Sequence, residues 1–258
     1  MNTLFLAWQA PQSRRWYPIG RLDRTDGVYR FAYTEGVRAA EAESEFRPLV
    51  SFPDLHTVYQ SDEIFPLFAN RVLSPNRPDY SEFIEWLSLT EHEADPMAIL
   101  ARSGGHRSTD RLEIFPCPSR ADGGPLRVHF FVHGLRHQTP QAQERVTRLE
   151  PGERLRLCWD QQNTRDDAAR NLRTDEVEDG DMHYVGYLPR YLAHDVGRLP
   201  IDADTPLVEV ERVNPAAPVH FRLLCRMTAD WPDGFEPFEG FEYQPINAEI
   251  APARRADY

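Results

Sequence analysis

Leu126-Arg127-Val128-His129-Phe130-Phe131-Val132-His133, running on into Gly134-Leu135-Arg136-His137, is the stretch whose period decides how the chain is read. Leu126, Val128, Phe130 and Val132 alternate with Arg127, His129, Phe131 and His133, and a period of two belongs to a half-buried strand. That period also settles the three histidines. Residues four apart lie about 13 Å apart along a strand, so His129, His133 and His137 do not share a metal. The same alternation returns at Arg154–Trp159, with Leu155, Leu157 and Trp159 facing one way. Met182–Leu188 reads as a third strand, followed by a short helix entered at Pro189 and ending near Arg198. Leu207–Val213 and Val219–Met227 complete a small barrel or sandwich of five or six strands.

Upstream, strand-like runs at Leu4–Trp8, Trp16–Leu22 and Val28–Tyr33 open the chain, and Asp26-Gly27 marks a hairpin. Two helical patterns follow. Tyr80–Leu89 places Phe83, Ile84 and Leu87 on one side. Asp95-Pro96 makes an N-cap and first-turn pair for a second helix carrying Met97, Leu100 and Ala101 inward. Arg111–Phe115 closes this part as a strand. The break Cys117–Pro125 (CPSRADGGP) sets the expected domains at 1–118 and 125–235, with limited proteolysis cutting first around Arg120. Residues 236–258 form an irregular tail rich in aromatics and proline, loose beyond Ala248.

The chain has 258 residues, 41 acidic and 29 basic, for a net charge of −12. Every basic side chain is Arg, and Lys does not occur. That excludes a P-loop, a protein-kinase site and Schiff-base chemistry, each of which needs a lysine amine. Every cation is instead a planar fork suited to phosphates and carboxylates. Residues 125–175 hold nine Arg against seven acidic residues, the one stretch that is not acidic, in a chain otherwise at −14. Cys117, Cys158 and Cys225 are odd in number and without a C-x-x-C pair, which argues against a disulfide framework and a zinc site. The first residues do not read as a signal peptide, no apolar run is long enough for a membrane helix, and a reducing cytoplasmic setting follows.

Asp160, Asp166, Asp167 and Asp175-Glu176 form an acidic group that offers either Mg²⁺ ligands for a nuclease or, more simply, turn and loop carboxylates. No G-x-S-x-G, H-E-x-x-H or G-x-G-x-x-G occurs. No cofactor is expected.

Three stretches together stand above this background. They are Gly134-Leu135-Arg136-His137, the loop Leu157–Ala169 with Asn163-Thr164-Arg165-Asp166, and Val185-Gly186-Tyr187-Leu188-Pro189-Arg190. In this order they resemble the HIRAN domain, an OB-like β module of DNA-remodelling ATPases and of free-standing bacterial proteins, over about residues 126–226. The resemblance implies a non-enzymatic protein binding single-stranded DNA at its 3′-hydroxyl end. Asp166 falls where the family's carboxylate accepts the terminal hydroxyl, and Asn163 where an amide meets the last nucleotide. Arg136 and Arg190 take the cationic positions, and Tyr187 lies in the strand-to-helix motif. The sequence departs from the family at His137 and Arg165, where the family stacks tyrosines, although both planes can stack on bases. Read from the residues alone, Asp166 is either this discriminating acceptor or an Asx-turn residue closing its loop.

Residues 1–116 resemble a second family, the N-terminal subdomain of HipA-type toxin kinases. The stretches that carry this are Tyr17–Leu22, Gly27–Tyr33, Arg47-Pro48-Leu49, Phe65–Pro75 and Pro96–Arg111. The kinase body is absent, and the resemblance implies an antitoxin-like role in which residues 1–118 bind a kinase-like or other protein partner. The expected fold class is α+β: a small mixed α/β N-terminal domain, then a mostly β, OB-like and HIRAN-like barrel.

Overall fold

A computed structural model describes residues 3–43, 45–107, 109–118, 124–164, 166–175, 182–199 and 206–247. The chain divides into two compact units that share it unevenly. The first takes Met1–Arg77, Asp95–Cys117 and the segment beginning at Phe238. The second takes Pro78–Ala94 and Pro118–Pro237. The division differs from the expected bounds in two places, because residues 78–94 group with the second unit and the tail with the first. The expected cut around Arg120 lies outside the described residues, as does the tail beyond Ala248.

The first unit is mostly sheet rather than evenly mixed α/β. Strands β1 (Thr3–Gln9), β2 (Trp16–Thr25), β3 (Val28–Tyr33), β4 (Tyr59–Ser61) and β5 (Leu112–Pro116) make an antiparallel sheet in the order β4-β3-β2-β1-β5. Short helices α1 (Gly36–Glu41), α2 (Pro66–Ala69) and α4 (Pro96–Ser103) accompany it, α3 (Tyr80–Trp86) belonging to the other unit. Helix α4 starts as its sequence dictates. Asp95 caps it by accepting from the Ala98 N–H at 2.9 Å, with Pro96 in the first turn. Leu4, Leu6, Ile19, Leu22 and Phe31 from the sheet meet Met97 and Leu100 in one core. The tail is ordered by aromatic contacts and one bridge. Phe238 and Tyr243 pack edge-on against Phe5, and Pro245 pairs with Thr34.

Glu113 is buried in β5, and burial pushes its pKa up to about 7; His106 Nε2 lies 4.0 Å away. The folded chain keeps this proton while the unfolded carboxyl loses it near the ordinary value of 4.5. Stability therefore falls as pH rises from about 4.5 to about 7, by roughly 3 kcal/mol in all, and the deficit persists above that window. Glu113→Gln should raise the melting temperature of the first unit near pH 8 and leave it little changed near pH 4.5. An equal gain at both pH values would mean that ionisation is not what Glu113 contributes.

The second unit is built on β6 (Leu126–Phe131), β7 (Arg154–Trp159), β8 (Arg170–Thr174), β9 (Tyr184–Tyr187), β10 (Leu207–Val213) and β11 (Leu223–Ala229), in the antiparallel order β6-β11-β10-β7-β8-β9. This sheet curls into a half-barrel. Just past β6, His133 pairs with Tyr187 at the end of β9 through two backbone bonds of 2.9 and 2.8 Å, so the two outer strands meet. Gly186 permits that meeting. It sits at φ 146°, and a Cβ there would strike the His133 carbonyl oxygen and a Val132 methyl. Inside, Val128, Phe130, Leu155, Leu172, Val208, Val210, Cys225 and Met227 form the core. Helices α5 (Pro140–Thr147) and α6 (Arg190–Val196) contribute Val146, Leu192, Ala193 and Val196. All three cysteines are free thiols, and Cys225 is the buried one.

Residues 78–94 join this unit through α3 and the turn after it. Asn214 donates to the Trp86 carbonyl at 3.0 Å, Ser88 Oγ donates to Glu211 at 3.1 Å, and Phe83 packs edge-on against Phe221. Among the described residues no helix is long and apolar enough to cross a membrane.

Candidate nucleic-acid interface

The three stretches singled out in the sequence converge on the end of β9. Gly134, with φ 73°, turns the chain after β6 into a single 3₁₀ turn (Leu135–His137). Its α-carbon lies so close to Tyr187 that a Cβ would come within 3.2 Å of the ring. Two residues beyond Tyr187, Pro189 opens α6, and Arg190 is that helix's first residue. Arg190 Nε pairs with Asp166 Oδ2 at 3.3 Å, the two side chains 41% and 14% exposed.

Asp166 is held from both sides. Its Oδ1 accepts from the Ala168 N–H at 3.1 Å, an Asx turn, and its own N–H donates to Asn163 Oδ1 at 3.1 Å. The carboxylate therefore closes its loop, as the turn reading expects, and faces Arg190 at once. Arg136 and His137 are exposed on the 3₁₀ turn, where Arg136 Nε donates to His137 Nε2 at 3.0 Å. Arg165 lies outside the described residues, and so does Glu176 of the acidic group.

Tyr187 turns elsewhere. Its hydroxyl donates to Asp160 Oδ2 at 3.0 Å. Burial first, then this carboxylate, raises the phenol's pKa, so it stays a donor across the physiological range. Asp160 Oδ1 also accepts from the Gln162 N–H, and Asp175 pairs with Arg156 at 2.6 Å. Among the described residues these carboxylates do not gather as a metal-ligating group.

Beside the convergence lies an open cleft of about 720 Å³ lined by Gln138, Trp159, Asp160, Asn163, Tyr184 and Tyr187 among others. Two of its aromatics were not singled out by sequence. Trp159 continues the inward phase of Leu155 and Leu157, but it stands beyond the core and is 58% exposed. Tyr184 is 52% exposed. The signal was available: an aromatic at a strand's last position, followed at once by Asp-Gln-Gln-Asn, has a polar loop and no apolar neighbour to cover it.

At this end the curled antiparallel half-barrel presents amides, the guanidinium groups of Arg136 and Arg190, and the carboxylates of Asp160 and Asp166. Residues 126–230 match the family model of the HIRAN domain. Among solved structures, the HIRAN domain of human HLTF is similar, 21% identical over 42% of this chain and 80% of that one, with a TM-score of 0.28. No curated protein matches the chain. The expected likeness of residues 1–116 to HipA-type toxin kinases, and with it a kinase-like or other protein partner, finds no support in these comparisons.

Proposed function

We propose that the second unit binds single-stranded DNA without catalysis of its own. The 3′-hydroxyl end is received where Asn163, Asp166 and Arg190 adjoin the Gly134–His137 turn. What carries this reading is the convergence of three separated stretches on the end of β9, inside the segment that matches the HIRAN domain. The chemistry suits an end. A partly screened carboxylate accepts a hydrogen bond from a terminal hydroxyl but repels a terminal phosphate. Arg190 has a five-donor fork, of which the Asp166 contact uses only part, leaving capacity for the last phosphodiester. The exposed imidazole of His137 supplies a plane for the terminal base, where the family has a tyrosine.

The test is a titration comparing 3′-hydroxyl, 3′-phosphate and blunt-duplex oligonucleotides. The hydroxyl strand should bind tightest, and equal affinity for all three would remove the end-binding reading. Arg136→Ala and Arg190→Ala should weaken all single strands alike and each reduce the salt slope of binding by about one. A loss confined to the 3′-hydroxyl strand would instead place these guanidinium groups on the terminus itself.

A further inference from the structure

The cleft beside the convergence is larger than a strand's last nucleotide needs, and neither Asp166 nor Arg190 is among the residues that line it. Its wall follows from the sheet register. Cys158 opposes Asn171, and Asn171 opposes Tyr187; one rung along, Arg156 opposes Arg173, and Arg173 opposes Tyr184. Directly opposed residues share a face, and Leu157 and Leu172 point to the other one, into the core. The outer face of β7–β9 thus carries a row of cysteine, amide and phenol beside a row of two guanidinium groups and a second phenol. Two like charges directly opposite each other destabilise a sheet unless an anion lies across them. Among the described residues Asp175 meets Arg156 through its Nε, and Arg173 reaches the Met182 sulfur.

Trp159 borders this face as a fixed platform. Its indole N–H donates to the Asp167 carbonyl at 2.9 Å, and the Arg170 guanidinium lies 5.4 Å from the ring centroid. With the ring held and backed in this way, an exposed stacking surface costs little entropy when something settles on it. Around it stand the amides of Gln138, Gln161, Gln162, Asn163 and Asn171. Each offers a donor and an acceptor side by side, the pattern that pairs with base edges. Aromatic platforms beside a cationic track are the arrangement by which proteins hold internal nucleotides of a single strand.

We propose that this cleft takes bases from the interior of a single DNA strand, stacking them on Trp159 and Tyr184, while Arg156 and Arg173, in the neighbouring row of the sheet face and outside the cleft lining, hold the phosphates that lead away from it. The proposal rests on the DNA-binding reading above and extends it from the terminus to the strand behind it. Because Asn163 lines the cleft and also accepts from Asp166, the two sites adjoin through one side chain.

The test uses the full chain with linear 3′-hydroxyl and circular oligodeoxythymidylates of about 16 nucleotides, the upper end of common site sizes. A circle has no terminus, so its binding reads the cleft, while the linear-to-circular ratio reads the end site. The wild-type protein should bind the circle. Trp159→Ala and Tyr184→Ala should each weaken that binding by about tenfold or more and keep the linear-to-circular ratio. Trp159→Phe, which keeps a ring, should recover most of the loss and so separates stacking from misfolding. If the circle is not bound, or both alanine variants bind it as well as wild type, the cleft proposal is overturned even where linear strands still show the end preference. If neither linear nor circular DNA binds, the DNA-binding reading fails first. Binding of a neutral oligosaccharide, lost in Trp159→Ala while DNA binding is untouched, would overturn the proposal in favour of a sugar.

Discussion

Gly186→Ala should cost the second unit about 3 kcal/mol or more and weaken DNA binding with it. Two effects add. An alanine at φ 146° is strained by roughly 1–3 kcal/mol, and its methyl group meets a backbone carbonyl that cannot swing aside as a side chain would. Relief by separation breaks the two His133–Tyr187 backbone bonds, each worth about 1 kcal/mol net. Calorimetry should therefore show one transition falling by on the order of 10 °C, while that of the first unit stays in place. Binding should suffer because this closure holds the Gly134–His137 turn against β9. An unmoved transition would mean that the outer strands of the half-barrel need not meet.

At Asp166 the second large effect is expected, and two substitutions separate its two duties. Asp166→Asn keeps an oxygen for the Ala168 N–H but removes the charge facing Arg190. It should leave the melting temperature nearly unchanged and narrow the gap in affinity between 3′-hydroxyl and 3′-phosphate strands. A charge-assisted hydrogen bond is worth roughly 1.5–3 kcal/mol, so binding of the hydroxyl end should weaken by about ten- to a hundredfold. Asp166→Ala should show the same loss of discrimination and, in addition, lower thermal stability, because the Ala168 N–H and Arg190 both lose a partner. Should both variants lower stability while the hydroxyl-to-phosphate ratio holds, Asp166 is a turn residue and nothing more.

The strands that could be read from sequence are those whose two faces differ. In β6, Leu126, Val128 and Phe130 are buried while Arg127 and His129 are not, and only Phe131, read onto the outer face, departs by packing against Phe221. Strand β8 escaped notice because Arg170-Asn171-Leu172-Arg173-Thr174 has a single apolar residue; its outer face is built for something other than a core. Helix α5 escaped because only Ala142 and Val146 are buried, although Thr139-Pro140 announces its start and Thr139 does cap it. Helix α3 was legible as a helix, but amphipathicity says only that Ile84 must be buried, not in which of two cores. The site shows the same division. Local motifs marked Asn163, Asp166 and Arg190, whereas the aromatic wall depends on where the core ends and on register between strands, and neither is written in any one segment.

The division of the chain has a consequence for its birth. Strand β1 leaves the ribosome long before residues 238–246, yet its ring Phe5 is covered by Phe238 and Tyr243, and Tyr33 accepts the backbone N–H of Ile246. The first unit is thus begun by segments made before the half-barrel and finished by a segment made after it. Most domains fold in the order in which they are made. Here the second unit has all its strands first, and the N-terminal sheet must wait, its apolar face unfinished, for some 120 residues more. A nascent chain stalled at Pro237 should hold a protease-resistant half-barrel and a protease-sensitive beginning.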